Sequence, residues 1–129
     1  MRVCKRFKFD AAHWLPDYEG PCSRLHGHTW FLEVEVEGPV DSQGFVMDFV
    51  ELKKLVQDKV IGLLDHQCLN DLGLLFSANP TCEVVLNWVW EVLDGFGPPW
   101  RLSRLRLYES PDSYAELRLF DSEWSLRSE

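Results

Sequence analysis

The chain has no run of apolar residues approaching the ~20 that a membrane-spanning helix needs. Its first stretch, MRVCKRFKFDAAH, lacks the apolar core of a secretory signal. Positive charge is also scarce: 13 Lys and Arg stand against 21 Asp and Glu, giving a net charge of −8. The only basic cluster is the short alternation RVCKRFK, which excludes the phosphate-neutralising face that nucleic-acid binding requires. An anionic small substrate remains open, but local arginine or lysine would have to hold it against the overall field. Without a secretory signature, Cys4, Cys22, Cys68 and Cys82 read as reduced thiols of a cytoplasmic protein rather than as two disulfides. Low-complexity tracts, linkers, long charge runs and close internal repeats are missing too. The 129 residues therefore suit one domain, spanning 1–129, that buries roughly two-thirds of its unfolded surface.

Two segments alternate with the period of a strand. In VCKRFKF, Val3, Phe7 and Phe9 share a face. In TWFLEVEVEG, Trp30, Leu32, Val34 and Val36 point one way, and Phe31, Glu33, Glu35 and Glu37 point the other, toward water. DAAHWLPDYEGPCSR, between them, is rich in turn formers and reads as a loop that carries function. The period then switches. Asp48 caps a helix whose stripe is Phe49, Leu52, Leu55, Val56, Val60 and Leu63. A second helix is capped by Asn79 or Thr81, takes Pro80 in its first turn and ends at Gly95. Its core face is Val84, Val85, Trp88, Val89 and Val92. LSRLRLYES and YAELRLFDS, joined at PDS, form a closing hairpin. The order β-β-α-α-β-β predicts an α+β fold, with two helices on one face of an antiparallel sheet. Its exposed sheet edges call for burial against other subunits.

CSRLHGHTW, residues 22–30, holds the densest chemistry. Residues i and i+2 of a strand share a face, so His26 and His28 aim two imidazoles at one point. Gly27 keeps the opposite face open. Such a pair suits Zn²⁺ but needs a third ligand, which His13 supplies if the two strands pair. Three histidines leave one coordination position free, the pattern of a catalytic site. Alone, H-x-H is equally a surface histidine pair.

Cys22 has two readings. As a fourth ligand it would close a structural Cys-His₃ site; as a free thiol beside Zn²⁺ and Arg24 it would be acidified into a usable base. The remaining alternative, a small buried hydrophobe, suits Cys4 and Cys82 better. Asp65 and His66 put a carboxylate beside an imidazole, and a relay between them requires the chain to turn there. Otherwise His66 is a capping or interface histidine. Glu109 falls on the strand face of Leu105 and Leu107, where a carboxylate needs a partner. That partner is either an internal arginine or a ligand with paired N–H donors, such as the aminopyrimidinone edge of a guanine or pterin. Glu83, in a helix's first turn, fits the positive end of that helix.

The series F-D-A-A-H-x-L-P, C-S-R-L-H-G-H, M-D-F-x-x-L-K, L-D-H-x-x-L-N-D, N-P-T-x-E and Y-E-S runs from Phe9 to Glu109. It resembles the 6-pyruvoyltetrahydropterin synthase family, and C-x-R-L-H-G-H is most similar to the bacterial 6-carboxytetrahydropterin synthases of the queuosine (7-deazaguanine) pathway. The resemblance implies the tunnelling fold (T-fold), assembled as a homo-hexamer from two trimers with active sites between subunits. It also implies His13, His26 and His28 as zinc ligands, Cys22 as catalytic thiol, and Asp65 with His66 as its proton-transfer partners. Glu109 is implied to anchor the pterin and join the charge relay. Thr81 and Glu83 are implied to line the pterin pocket, and at a net charge of −8 an anionic substrate relies on Arg24, Lys5, Lys8 or residues of another subunit.

The implied reaction converts 7,8-dihydroneopterin triphosphate to carboxytetrahydropterin, acetaldehyde and triphosphate. Trp14 stands where many relatives carry arginine, and Cys82 where they carry serine, alanine or threonine. A 6-pyruvoyl synthase or another pterin side-chain lyase is the alternative within the family. A non-enzymatic alternative is a Cys-His₃ zinc module that binds a protein partner.

Overall fold

The computed structural model describes residues 1–73 and 79–121. Alternation becomes geometry in its first two strands, β1 (Arg2–His13) and β2 (His26–Glu37), which pair antiparallel from Arg2 opposite Glu37 to His13 opposite His26. Phe7, Phe9 and Ala11 of β1 and Trp30, Leu32, Val34 and Val36 of β2 all turn to the same face and are buried. Helix α1 (Phe49–Val56) starts at Asp48, whose carboxylate accepts the Val50 N–H at 2.8 Å. It runs on through a π-helical segment, Gln57–Ile61, and a last turn, Gly62–Leu64. Helix α2 (Cys82–Leu93) is capped by Thr81, and β4 (Arg101–Ser110) and β5 (Ser113–Arg118) form the closing hairpin. Both helices pack on the apolar face of the sheet.

A short strand, β3 (Gln67–Cys68), adds to the far side of β1, so the sheet order is β3-β1-β2-β4-β5. This strand is parallel to β1, which makes the sheet mixed rather than wholly antiparallel as expected. Two residues carry no readable alternation, so nothing in the sequence announced it.

Three other expectations change. Leu52, Val56 and Val60 are buried as the helical stripe predicted, but Phe49 and Leu63 are exposed while Ile61 and Leu64 are buried. The π segment, in which Gly62 N–H reaches back to Gln57 O, inserts one residue and rotates the later positions out of phase. Pro80 precedes the cap of α2 instead of occupying its first turn. Cys82 is buried, with Sγ donating to Leu107 O at 3.1 Å, and desolvation pushes its thiol up to about 12. Cys4 instead is exposed, 3.8 Å from an Arg104 nitrogen. None of the four cysteines is in a disulfide.

The glutamates of β2 face a row of arginines more than open water. Arg104 lies 3.4 Å from Glu33 and 3.2 Å from Glu35, and Arg106 lies 2.6 Å from Glu116 on β5. Hydrogen bonds from Arg106 and then Arg118 hold the Glu116 carboxyl down to about 2. The expected β5 ends at Arg118, and Ser122 lies outside the described residues.

Candidate metal centre and proton relay

The apolar face ends in histidines. Continuing inward past Phe9 and Ala11, the next inward position of β1 is His13; running back from Trp30, the next on β2 are His28 and His26. The register sets His13 opposite His26 and Ala11 opposite His28, which brings the three rings into a triangle. Ring centroids are 4.6 Å apart for His13–His26, 5.2 Å for His13–His28 and 4.8 Å for His26–His28. Trp30 lies beneath, edge-on to His13 and His28 at 5.1 and 5.5 Å, and donates from its indole to Ala11 O at 3.2 Å.

Two of the rings have a nitrogen already engaged. His13 Nδ1 lies 2.7 Å from Pro80 O, and His26 Nδ1 lies 2.6 Å from Arg24 O. A carbonyl can only accept, so each Nδ1 carries a proton, and it is Nε2 of each ring that is left to act as a ligand atom. This is the outer-shell arrangement that orients metal-binding histidines. His13 is 1% exposed, and the Nε2 atoms of His13 and His28 are buried without an aligned hydrogen bond. They lie 3.1 and 3.5 Å from Glu109 Oε1. One donor atom from each of His13, His26, His28 and Glu109 falls within 4.8 Å of all the others. Desolvation, the largest effect, lowers the pKa of His28; Glu109 opposes it and the other two histidines reinforce it. Neutral imidazoles converging on one point fit a borderline-soft divalent cation such as Zn²⁺, and the donor set passes that test.

Glu109 continues the inward-facing row of Leu105 and Leu107 on β4 and stands at a β-bulge. The β4–β5 pairing runs Tyr108 to Tyr114 and then Ser110 to Ser113, leaving Glu109 as the extra residue. Its side chain, 33% exposed, is directed at the histidines.

A second group forms at the outer edge of β1. The helix ends at Leu64, and His66 has φ 60°, so the chain turns where a relay required it to. Asp65 Oδ2 lies 3.0 Å from His66 Nδ1. The Asp10 N–H donates to Asp65 Oδ1 at 2.9 Å, the His66 N–H donates to Asp10 O at 2.7 Å, and Thr29 Oγ1 donates to Asp10 Oδ1 at 2.6 Å. The Asp10 amide, first, and then His66 hold the Asp65 carboxyl below its usual range. An open cleft of about 580 Å³ is bordered by His28 from the first group, by Asp10 and His66 from the second, and by Cys68.

Cys22 is brought into neither group. It sits half-buried in a single helical turn, Pro21–Ser23, its carbonyl accepting the Leu15 N–H at 2.8 Å. Arg24 contributes its carbonyl to His26 while its side chain is exposed. Thr81 caps α2 by accepting the Val84 N–H at 3.2 Å, and Glu83 is exposed in the first turn of that helix. Sequence reasoning missed Asp10, Thr29 and the carbonyls of Pro80 and Arg24. Main-chain acceptors leave no residue-type signal; only the strand pairing exposes them.

This sheet, with its two helices on one face, is the tunnelling fold. It superimposes on a 6-pyruvoyl tetrahydropterin synthase structure from Caenorhabditis elegans with a TM-score of 0.75, covering 92% of this chain and 94% of that one at 23% identity. The family model described as 6-pyruvoyl tetrahydropterin synthase matches residues 2–119, and the chain belongs to that family of pterin-acting enzymes. Among curated relatives, a dihydroneopterin monophosphate aldolase of Pyrococcus furiosus is 41% identical, over 90% of this chain and 96% of its own. A 6-carboxy-5,6,7,8-tetrahydropterin synthase of Synechocystis is also 41% identical, over 75% of this chain and 78% of its own.

Proposed function

We propose that this protein is a zinc-dependent 6-carboxy-5,6,7,8-tetrahydropterin synthase. It converts 7,8-dihydroneopterin triphosphate to carboxytetrahydropterin, acetaldehyde and triphosphate in the 7-deazaguanine (queuosine) pathway, as a cytoplasmic homo-hexamer. The observation that carries this reading is the convergence of the His13, His26 and His28 rings with Glu109 at one end of the sheet, in a member of a pterin enzyme family. The Synechocystis relative that bears the 6-carboxy name supports the choice of product.

His13, His26 and His28 hold the metal, which when bound supplies Lewis acidity toward side-chain hydroxyls of the substrate. His66 moves protons on and off the substrate side chain, oriented by the carboxylate of Asp65 at 3.0 Å. Asp65 stays ionised through the neutral range, so the imidazole can gain a proton beside a compensating charge. Cys22 is the second proton-transfer group, delivered from the loop that precedes β2. Glu109 accepts the paired N–H donors of the pterin edge. Arg24, Thr81 and Glu83 line the remainder of the pocket.

The test is a product assay by mass on the Zn²⁺-loaded protein with dihydroneopterin triphosphate. Carboxytetrahydropterin together with acetaldehyde is expected. Full turnover by Cys22→Ala would remove the thiol from the mechanism.

A second reading is a lyase that cleaves the side chain of a less phosphorylated dihydroneopterin. The aldolase relative favours it, as does Trp14, which leaves no cation directly after His13. In that case the monophosphate turns over faster than the triphosphate and the product is not a carboxypterin.

A further inference from the structure

The segment carrying Asp65 and His66 is joined to β1 by very little ladder. Its strand β3 pairs only Ala11 with Gln67 and Ala12 with Cys68. A two-residue parallel ladder is far too short to hold its own register. A slip of one residue would turn every side chain of the segment to the opposite face.

Side chains close both ends of this ladder instead. Upstream, Asp65 Oδ1 accepts the Asp10 N–H. Downstream, Asn70 lies in the helical turn Leu69–Leu72 and is half-buried. Its Nδ2 donates to Trp14 O and its Oδ1 accepts the Trp14 N–H, both at 2.9 Å. A primary amide is the side chain that can satisfy both main-chain groups of one residue at once. Trp14 immediately follows His13, so the clamp ties the relay segment to the strand that presents the first metal-site histidine.

The histidine set does not depend on this clamp. β1 and β2 are each 12 residues long and pair along their whole length, ending at His13 opposite His26. We infer that Asn70 is a positioning residue: it locks the register of the Asp65–His66 segment against β1 and takes no part in holding the metal. The inference rests on reading that pair as the proton relay of the proposed pterin reaction.

The experiment compares Asn70→Ala and Asn70→Asp with the wild-type full chain. The first loses both bonds, and the second sets an oxygen against the Trp14 carbonyl. Displacing a catalytic group by ~1 Å costs on the order of 100-fold. Both Zn²⁺-loaded variants should therefore lose about 10- to 100-fold in kcat on dihydroneopterin triphosphate, with KM within about threefold. Zn²⁺ affinity by chelator competition should also stay within about threefold. Exchange of the His66 amide, which donates to Asp10 O, should quicken by about tenfold or more.

Zinc affinity falling in step with kcat would overturn the inference, because Asn70 would then support the metal strand. An unchanged His66 amide, or unchanged kcat on a substrate the wild type turns over, would overturn it too. Exchange and zinc affinity are read without turnover. A wild type inert toward the substrate would count against the proposed reaction, while the exchange comparison still decides the role of Asn70.

Discussion

The two chemical groups at this end of the sheet are built in opposite ways. His13, His26 and His28 extend the apolar face, stand on Trp30 and are carried by the longest ladder in the molecule. Asp65 and His66 sit where a helix stops, on a left-handed residue beside a two-residue strand, and the His66 side chain is 78% exposed. The contrast suits the roles proposed for them. Three lone pairs aimed at one point repel when empty, so they persist only where packing and carbonyl partners over-determine the rings. A proton carrier must reach a substrate, so it is held by a few bonds at an accessible edge.

Substitutions can test that division, beginning with the most severe. His28→Ala should abolish tight Zn²⁺ binding. The activity, losing a Lewis acid worth several kcal/mol, should fall by on the order of 1000-fold; chelator competition and turnover read the two together. His66→Ala should lower the rate by about 100-fold or more while zinc affinity is unchanged, the loss expected for one general acid–base group. A parallel loss of metal would show that the groups are not independent.

Thr81→Ala removes the cap of α2 and should cost about 1 kcal/mol in urea denaturation. Because the Pro80 carbonyl at that same helix end fixes the His13 ring, zinc affinity should drop several-fold, by up to roughly 10-fold, whereas exchange of the His66 amide should not change.

The smallest effect is in acid. Asp65 has a lowered pKa in the folded chain, so the stability it contributes is present above the ordinary carboxyl value of 3.8 and is lost as pH falls through the folded value. Urea denaturation of wild type and Asp65→Asn, followed from neutral pH downward, should show a difference that closes only below that value.

How much of this was legible depended on distance along the chain. The shared face of His26 and His28 follows from strand period alone, and His13 joins them once β1 and β2 are paired. The β2 core residues were read from alternation for the same reason. Strand period put Glu109 on the face of Leu105 and Leu107 as a carboxylate needing a partner, but that His13 and His28 lie beside it there was not legible, because those contacts join residues more than 80 positions apart. The exposure of Leu63 was misread because a π segment changes helical phase without changing composition. Cys22 stood close to the histidines in sequence, yet it is not part of their cluster. The Asn70–Trp14 clamp spans 56 positions and uses main-chain atoms on one side, so no local pattern could carry it.

The register of β1 against β2 has one further consequence. Because His13 faces His26 across paired strands, the connection from Trp14 to Leu25 sets no distance among the histidines. Apart from Arg24, whose carbonyl holds the His26 ring, its length and composition can drift while the triad stays in place. That connection carries Cys22, so the thiol can be moved, lost or replaced without rebuilding the metal centre. The histidines and the cysteine are thereby open to separate evolution, one set anchored in a ladder and the other in a loop.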